Sequence, residues 1–379
     1  MVYLQNEGKI MNSFKPGLVW LDTDGVPIQA HGGSIIVVNN VFYWYGENKE
    51  KTTGQNNIWH WGVRCYSSKD LYNWHNEGII IPPDLDDHDS PLNPVSMMDR
   101  PHILFNKKRK KFVAWLKIMA EKGKRAGFTI MEANHILGPY HMINSHLNPH
   151  GLDVGDFDLT IDPESSKGYL ISQKPHNFIY ISELNEDFTN VIGSYTVNFK
   201  HSAPPFAREA PASFYRKGNY YLFTSGTTGY FPNPTEMAIS NKINGIYKTL
   251  GSPHINDRTN TSFGSQISSV FKFPGKDIYI ALADRWISNV NERLGFKSGK
   301  FEKDIQDKFE KIFDPNHKFA FTEEDQKDIR VNTSKSTYIW LPIIFEKDKP
   351  LIEWSNEWKW ESLDNDNKKQ KRVMSGKMN

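Results

Sequence analysis

The sequence has very little cysteine and no long apolar run. Cys65 is the only cysteine among 379 residues, so no disulfide can form within the chain. This excludes a disulfide-dependent scaffold and leaves the cellular compartment open. No stretch approaches the ~20 apolar residues that a membrane-spanning helix needs. Residues 1–9 lack the apolar core of an export signal, so we expect such a signal to be absent or already removed.

A strong excess of one charge is also missing. The chain carries 46 lysines and arginines against 44 aspartates and glutamates, which gives a formal net charge of +2. Such a balance creates no field that would attract nucleic acid or an acidic membrane, so we expect neither as a partner. The one basic cluster, at residues 368–372, lies in a polar C-terminal stretch and is expected to be a solvated end.

Aromatic residues, by contrast, are abundant. Phe, Trp and Tyr make up 13% of the chain, with 11 tryptophans and 16 tyrosines. Such rings pack the cores of β-sheets, and they also present flat apolar faces against which sugar rings stack. We expect most of them inside a β-fold, and a carbohydrate ligand is compatible with the remainder.

A polar start followed by an apolar hairpin recurs along the chain. The clearest example is Glu209, which small residues and then the hairpin at 212–223 follow. Similar units begin at His31, Asp99, Asp158 and Gln266. The five starts are therefore 51 to 68 residues apart, which suits blades of about four strands. The pattern predicts an all-β, five-bladed β-propeller whose polar strand starts converge on one central pocket.

The predicted propeller spans residues 12–360, and one stretch within it breaks the strand pattern. Residues 291–335 are rich in charge and have helix-like spacing, which predicts a partly helical insertion in the last blade. A solvated helical flap is the simpler interpretation, and a lid or an oligomer contact is the alternative. Residues 361–379 are predicted to form a polar C-terminal tail. A β-sandwich lectin fits less well, because it would not repeat a polar residue at each unit start.

Glu209 is the best candidate for a catalytic acid. Glycoside cleavage usually needs two carboxyl groups that flank the scissile bond, one of them kept protonated. Glu209 begins a strand, and the apolar rings of Phe206 and Phe214 lie close to it in the sequence. Desolvation by such neighbours raises the pKa of a carboxyl group, which suits a general acid.

Several short motifs follow one another in a fixed order around these strand starts. They are Trp20–Gly25, Ile28–Gly33, Tyr43–Glu47, Asp99–Pro101, Asp158–Thr160, Glu209–Pro211, Thr224–Gly229, Ser265–Gln266, Asp284–Trp286 and Tyr338–Pro342. Each motif alone is weak, but their order and spacing together resemble glycoside hydrolase family 43. Members of that family are five-bladed propellers that invert the anomeric configuration. The resemblance covers residues 18–290 and 336–360 and is greatest to the exo-β-1,3-galactanase branch.

The resemblance implies roles for individual residues. Glu209 is the implied general acid, and Asp158 is the implied carboxylate that orients it and tunes its pKa. The wider family takes its general base from an Asp in the first blade, at a position that Ala30 or His31 fills here. The galactanase branch similarly lacks that Asp, and a Gln in the last blade is thought to hold the attacking water. Gln266 matches this Gln.

The identity of the base stays open at this point. An amide has no useful basicity at neutral pH, so a water on Gln266 needs an unusual amide tautomer or a second carboxylate. Glu47 and Asp99 are the local candidates. The branch usually has Glu where this chain has Asp99. Because the side chain of Asp is one methylene shorter, the identity of the sugar that it contacts stays open. The side chains expected to contact the substrate are those of Glu47, Asp99, Arg100, Thr227, His31 and Trp286.

No cofactor or metal is expected to be required, although an ion or water on the propeller axis is compatible with some relatives. His31 is the residue that could hold it, or His31 could instead bond to the neighbouring backbone. One His without a carboxylate cluster at ligand spacing is poor evidence for a metal. The implied partner is an oligosaccharide or polysaccharide, and family members are often secreted or periplasmic.

The leading prediction is therefore an inverting, exo-acting glycosidase that removes galactose from the non-reducing ends of β-1,3-galactan-type glycans. A family 43 enzyme with another glycone is the first alternative, of the α-L-arabinofuranosidase, β-xylosidase or galactofuranosidase type, because a fold does not fix a substrate. A catalytically silent, glycan-binding propeller is the second. The missing first-blade base favours that alternative, and the acid candidate at Glu209 argues against it.

Overall fold

The computed structural model describes residues 10–119, 126–200, 207–288 and 331–364. The regular structure of these residues is almost entirely β-strand, with short 3-10 turns at Pro149–Gly151 and Thr333–Lys335 and one short helix at 360–364. None of the helices in the described ranges has the length and apolar character that crossing a membrane requires. The predicted insertion and tail fall largely on residues 289–330 and 365–379, which lie outside the described residues.

The strands form five sheets, and each sheet comes from one stretch of the chain. Blade 1 contains β1 (His31–Val38), β2 (Val41–Glu47), β3 (Val63–Ser68) and β4 (His75–Ile81). Blade 2 contains β5 (Met97–Asn106), β6 (Lys111–Met119), β7 (Gly127–Ala133) and β8 (His141–Leu147). Blade 3 contains β9 (Phe157–Ile161), β10 (Gly168–Lys174), β11 (Phe178–Leu184) and β12 (Val191–Asn198).

Blades 4 and 5 complete the ring. Blade 4 contains β13 (Arg208–Arg216), β14 (Asn219–Gly226), β15 (Glu236–Ser240) and β16 (Lys248–Gly251). Blade 5 contains β17 (His254–Ile255), β18 (Gln266–Lys272), β19 (Tyr279–Arg285), β20 (Thr337–Tyr338), β21 (Leu341–Glu346) and β22 (Lys349–Glu353). Neighbouring strands are antiparallel, except that β17 pairs in parallel with β22 at the outer edge of blade 5.

The five inner strands, β1, β5, β9, β13 and β18, contact one another in this order around a central axis. They begin within two residues of the predicted unit starts, so the five-bladed propeller is confirmed. Large apolar side chains fill the spaces between adjacent blades, and Trp44, Trp115 and Trp340 are completely or almost completely buried there. The aromatic content of the chain is thus used mainly in the core between blades.

Candidate active site

The candidate functional side chains lie where the inner strands begin, and β-bulges direct them there. In blades 1, 2, 4 and 5 the pairing of the inner strand shifts near its start, between His31 and Ser34, Asp99 and His102, Glu209 and Ala212, and Ile267 and Ser269. A bulge bends the strand and re-aims its side chains. Arg100 and Ala210 have φ angles of 49° and 51°. This left-handed conformation costs a non-glycine residue about 1 to 3 kcal/mol, and such strain clusters at functional sites.

Glu209 lies half-buried at the start of β13, and its surroundings favour the protonated carboxyl group. Burial raises the pKa of Glu209 to about 8, and the nearby carboxylate of Asp156 adds to this effect. The positive charges of Arg100, Lys117 and Arg208 lower the pKa without cancelling the increase. A carboxyl group that keeps its proton at neutral pH can serve as a general acid.

Gln266 connects Glu209 to the opposite side of the pocket. Its Oε1 accepts hydrogen bonds from Arg100 Nη2 (2.8 Å) and Trp286 Nε1 (3.3 Å). Its Nε2 donates to Ser225 Oγ (2.9 Å) and to Glu209 Oε1 (3.3 Å). Because guanidinium and indole nitrogens only donate, the amide oxygen must face them and the amide nitrogen must face Glu209. Both ends of this side chain are therefore fixed.

Cations alternate with carboxylates in the rest of the pocket. Arg100 Nε lies 2.9 Å from Asp156 Oδ2, and Lys117 Nζ lies 2.6 Å from Asp156 Oδ1. Lys117 Nζ also lies 3.0 Å from Asp99 Oδ2. Burial tends to raise the pKa of Asp156, but the charges of Arg100 and Lys117 outweigh it and hold the pKa well below its usual range. Asp156 is therefore a fixed negative charge beside Glu209.

Glu47 is buried at the end of β2 and is held from two sides. The backbone N–H of Arg100 donates to Glu47 Oε1 (2.8 Å), and Lys49 Nζ lies 2.7 Å from Oε2. Burial raises the pKa of Glu47 to about 7, against the lowering effect of Lys49. A Cβ atom on Gly32 would collide with Glu47 Oε1. The carboxyl group of Glu47 thus fills the space into which a first-blade side chain at position 32 would extend.

The prediction that Asp158 orients Glu209 needs correction. Asp158 Oδ2 accepts hydrogen bonds from the backbone N–H and the hydroxyl group of Ser213, both at 2.7 Å, and His102 Nδ1 lies 3.6 Å from Oδ1. Ser213 lies four residues after Glu209 on β13, so these contacts are made deeper along the axis. Each residue of a strand advances about 3.3 Å, so two positions move a side chain out of reach of the pocket mouth. The carboxylate that acts on Glu209 is Asp156.

The side chain of His31 contacts two residues of blade 5. Its ring is completely buried, Nδ1 donates to Asp284 Oδ1 (3.0 Å), and Nε2 lies 3.4 Å from the hydroxyl group of Tyr338. These contacts join the ring to blade 5, and the predicted contact of His31 with substrate stays a prediction. In the described part of the chain, no three His, Cys, Asp or Glu side chains are arranged to hold a metal ion.

The other predicted residues divide between the pocket and its surroundings. Glu47, Asp99, Arg100, Glu209 and Gln266 come together as expected. Trp286 reaches the pocket through its bond to Gln266. The hydroxyl group of Thr227 instead donates to the carbonyl oxygen of Ala207 (2.8 Å), and the side chain is buried.

The sequence reasoning missed Lys49, Lys117 and Asp156. Lys117 carried a usable signal, because it is the only charged residue in the apolar run 112–119 of β6 and a buried lysine needs a charged partner. Asp156 directly precedes β9, so it stands at the true start of that inner strand. Lys49 follows the Glu47 motif without any pattern of its own.

Known proteins resemble this chain over most of its length. The model of the glycosyl hydrolases family 43 matches residues 26–292. A solved GH43 β-1,3-galactosidase is 26% identical with a TM-score of 0.72, and the match covers 92% of this chain and 64% of that one. A GH43 β-1,3-galactosidase solved with galactodeoxynojirimycin is 25% identical with a TM-score of 0.72, covering 91% and 100%. The exo-β-1,3-galactanase of Phanerochaete chrysosporium, solved with galactose, is 25% identical with a TM-score of 0.71, covering 91% and 68%.

No curated protein matches the chain. The chain spans less than two thirds of the first of these solved structures and the whole of the second. The family match extends over more than half of the chain and includes all five inner strands with their converging carboxyl groups. The chain therefore belongs to the glycosyl hydrolases family 43.

Proposed function

We propose that the protein is an inverting, exo-acting glycoside hydrolase that removes galactose from the non-reducing ends of β-1,3-galactan-type glycans. The observation that carries the proposal is the position of Glu209 near Asp156 at the start of neighbouring inner strands, where burial raises the pKa of Glu209 and the charges of Arg100 and Lys117 lower that of Asp156. The choice of galactose is supported by the similar structures, which are β-1,3-galactosidases and an exo-β-1,3-galactanase.

In this proposal Glu209 protonates the oxygen of the leaving group as the glycosidic bond breaks. Asp156 keeps the proton on Glu209 until it is needed, because its negative charge disfavours a second carboxylate nearby. Arg100 contributes a further contact to the substrate. Its Nη1 is buried without a hydrogen-bond partner among the described residues, and a hydrogen bond from it to a sugar oxygen would remove the cost of leaving this donor unpaired.

The attacking water is held by Gln266, which must exchange one of its four present hydrogen bonds for the water, and it loses its proton to Glu47. The amide oxygen of Gln266 already accepts from Arg100 and Trp286, which leaves it little capacity to take a proton. Glu47 is a buried carboxyl group of blade 1 with a pKa raised to about 7, so it can accept a proton near neutral pH. Asp99 is the alternative base: its oxygens contact Trp59 Nε1 (2.7 Å) and Lys117 Nζ (3.0 Å), much as those of Glu47 contact Arg100 and Lys49, so the raised pKa of Glu47 is the reason for preferring Glu47.

This assignment fixes the pH dependence of activity. Glu47 must be ionised, so kcat/KM should rise through a pH of about 7. Glu209 must be protonated, so kcat/KM should fall through a pH of about 8. Glu47→Gln should remove the rising limb together with most of the activity, whereas Asp99→Asn, the matched amide change, should weaken binding and keep the limb. Loss of the limb in Asp99→Asn alone would make Asp99 the base.

The test of the proposed activity is a substrate panel with product stereochemistry. β-1,3-Galactooligosaccharides and aryl β-galactosides, α-L-arabinofuranosides and β-xylosides are incubated with the enzyme, and NMR follows the first minutes of release. We expect galactose to be released as the anomer opposite to that of the substrate. Release of the same anomer contradicts inversion, and preferential release of another sugar contradicts the galactose assignment. Glycan binding without any hydrolysis would establish the silent propeller instead.

A further inference from the structure

Lys49 is a buried cation that takes no part in the proton transfers proposed for this site. It follows the end of β2 by two residues, and its side chain is 1% exposed. Its Nζ donates to the carbonyl oxygen of Trp59 (2.9 Å), lies 2.7 Å from Glu47 Oε2 and lies 3.9 Å from Asp99 Oδ1. The ammonium group therefore stands between the two carboxyl groups that are the candidates for the base.

The position of Lys49 is fixed at both ends of the residue. Its backbone carbonyl oxygen accepts from the N–H (2.9 Å) and from the hydroxyl group (2.8 Å) of Thr52. Its ammonium group is bonded to the carbonyl oxygen of Trp59, and the indole Nε1 of the same tryptophan donates to Asp99 Oδ1 (2.7 Å). Trp59 thus connects Lys49 to Asp99, and these contacts hold the ammonium group beside Glu47.

The two buried lysines of the site are divided between the two carboxyl groups. Lys49 Nζ is nearer to Glu47 than to Asp99, and Lys117 Nζ lies 3.0 Å from Asp99 Oδ2. Asp99 therefore has a closer cation of its own, and Lys49 belongs to Glu47. Replacing a buried ion pair by apolar side chains is often neutral or stabilising, so fold stability alone does not account for a charge at this position.

Other charged and titratable groups face Glu47 from blades 1, 2, 4 and 5. They are His31, Asp99, Arg100, Tyr230 and Tyr338. The two tyrosines are neutral, because burial raises the pKa of each well above the ordinary value. The Nδ1 atom of His31 is bonded to Asp284. Burial and the charge of Asp99 raise the pKa of Glu47, and Lys49 makes the largest opposing contribution.

We propose that Lys49 is the positioning residue of the base, which keeps the carboxyl group of Glu47 ionised and holds it in one orientation. The inference rests on the proposed function, in which Glu47 takes a proton from the attacking water. The backbone N–H of Arg100 fixes Oε1, and Lys49 lies against Oε2, so both oxygens have a defined place. An opposite charge at this distance favours the ionised carboxyl group. Lys49 keeps its own protons throughout the reaction.

The kinetic test removes the charge in the Lys49→Met variant. Because Lys49 lowers the pKa of Glu47, the rising limb of the kcat/KM profile should move to higher pH, with a loss of about tenfold or more at pH 6. The falling limb should stay in place, since Lys49 is not among the charges that act on Glu209. Lys51→Met, at an exposed position two residues further on, is the matched control and should leave both limbs unchanged. A rising limb that stays in place or moves to lower pH contradicts the inference.

A titration without substrate distinguishes a failure of this inference from a failure of the proposed function. Glutamate carboxyl carbons are labelled with ¹³C, and the NMR signal that Glu47→Gln removes is followed with pH. Its midpoint should be about 7 in the wild type and higher in Lys49→Met. If the enzyme releases no galactose, the proposed function fails, but this shift still supports the role of Lys49.

The same titration applies if Lys49→Met does not fold. Lys49→Gln keeps a hydrogen-bond donor without the charge and should show the same upward shift of the Glu47 midpoint. Circular dichroism establishes which variants are folded. An unchanged midpoint in a folded Lys49 variant contradicts the inference, even in an enzyme that releases galactose.

Discussion

Two aspartates that lie two residues apart have different environments, and this difference sets their roles. Asp156 contacts Arg100 and Lys117 in the pocket, whereas Asp158 accepts both of its short hydrogen bonds from Ser213. Asp156 therefore acts on Glu209 by charge, and Asp158 joins blades 3 and 4. At the residue scale, the role of each aspartate therefore depends on its depth along the propeller axis as much as on its residue type.

The two aspartates should respond differently to the same amide change. Asp156→Asn removes the charge that helps Glu209 keep its proton, so the falling limb of the kcat/KM profile should move to lower pH, with activity reduced about tenfold or more. Asp158→Asn should leave the profile unchanged and lower the free energy of unfolding by about 1 to 3 kcal/mol, because it disturbs buried hydrogen bonds. Kinetics and urea unfolding of both variants check this, and the reverse pattern would restore Asp158 to the catalytic role.

Lys117 should influence the acid through the same charges. It lowers the pKa of Glu209, so Lys117→Met should move the falling limb of the kcat/KM profile to higher pH. The matched control is Lys111→Met on the same strand, at the far end from the pocket, which should leave the profile unchanged. A shift to lower pH in Lys117→Met, or equal shifts in both variants, would contradict the charge arrangement described here.

At the scale of single elements, the sequence allowed the strand starts to be predicted better than their bulges. The polar residues Glu209, Gln266 and Asp99 mark inner strands correctly, because an apolar alternating run follows each of them. The bulges that bend these strands have no comparable signal, since Arg100 and Ala210 are not residues that favour a positive φ angle. The side chain of Asp158 could not be placed for a similar reason, because a pattern does not give depth along the axis.

The loop between β14 and β15 of blade 4 gives a prediction at this scale. Asn233→Ala removes three hydrogen bonds at the loop base and leaves buried backbone groups of Gly226 without partners. The free energy of unfolding should fall by about 1 to 3 kcal/mol, as measured by urea unfolding. Asn244→Ala, at an exposed position of the same blade, is the control and should leave the free energy of unfolding unchanged. An unchanged stability for Asn233→Ala would show that the loop is held by other contacts.

At the scale of the whole molecule, the ring closes without a shared strand in the described residues. Blades 1 and 5 are joined by side chains, including a cluster that contains Trp44 and Trp340, and by the backbone pairing of Phe14 with Trp358. The abundance of tryptophan predicted a packed β-core. The aromatic side chains that join blade 1 to blade 5 could not be predicted. Their contacts connect residues about 300 positions apart in the chain.

Loss of this closure should destabilise the whole propeller. Trp340→Ala removes a nearly fully buried ring and should lower the free energy of unfolding by about 3 to 5 kcal/mol. Urea unfolding followed by circular dichroism measures the change. The control Ile246→Ala removes a side chain that is 74% exposed and should alter stability by no more than about 0.5 kcal/mol. Similar small effects in both variants would mean that other contacts hold blades 1 and 5 together.

The most direct measurement of the central claim is the leaving-group dependence of the Glu209→Gln variant. Two galactosides with the same glycone are compared, a dinitrophenyl glycoside and a β-1,3-linked disaccharide, with Glu164→Gln on the exposed surface as the control. The account predicts a loss of kcat/KM of at least about 10²-fold on the disaccharide and a much smaller loss on the dinitrophenyl glycoside, because a good leaving group needs little protonation. Equal losses on the two substrates, or near-normal activity on the disaccharide, would contradict the assignment of Glu209 as the general acid.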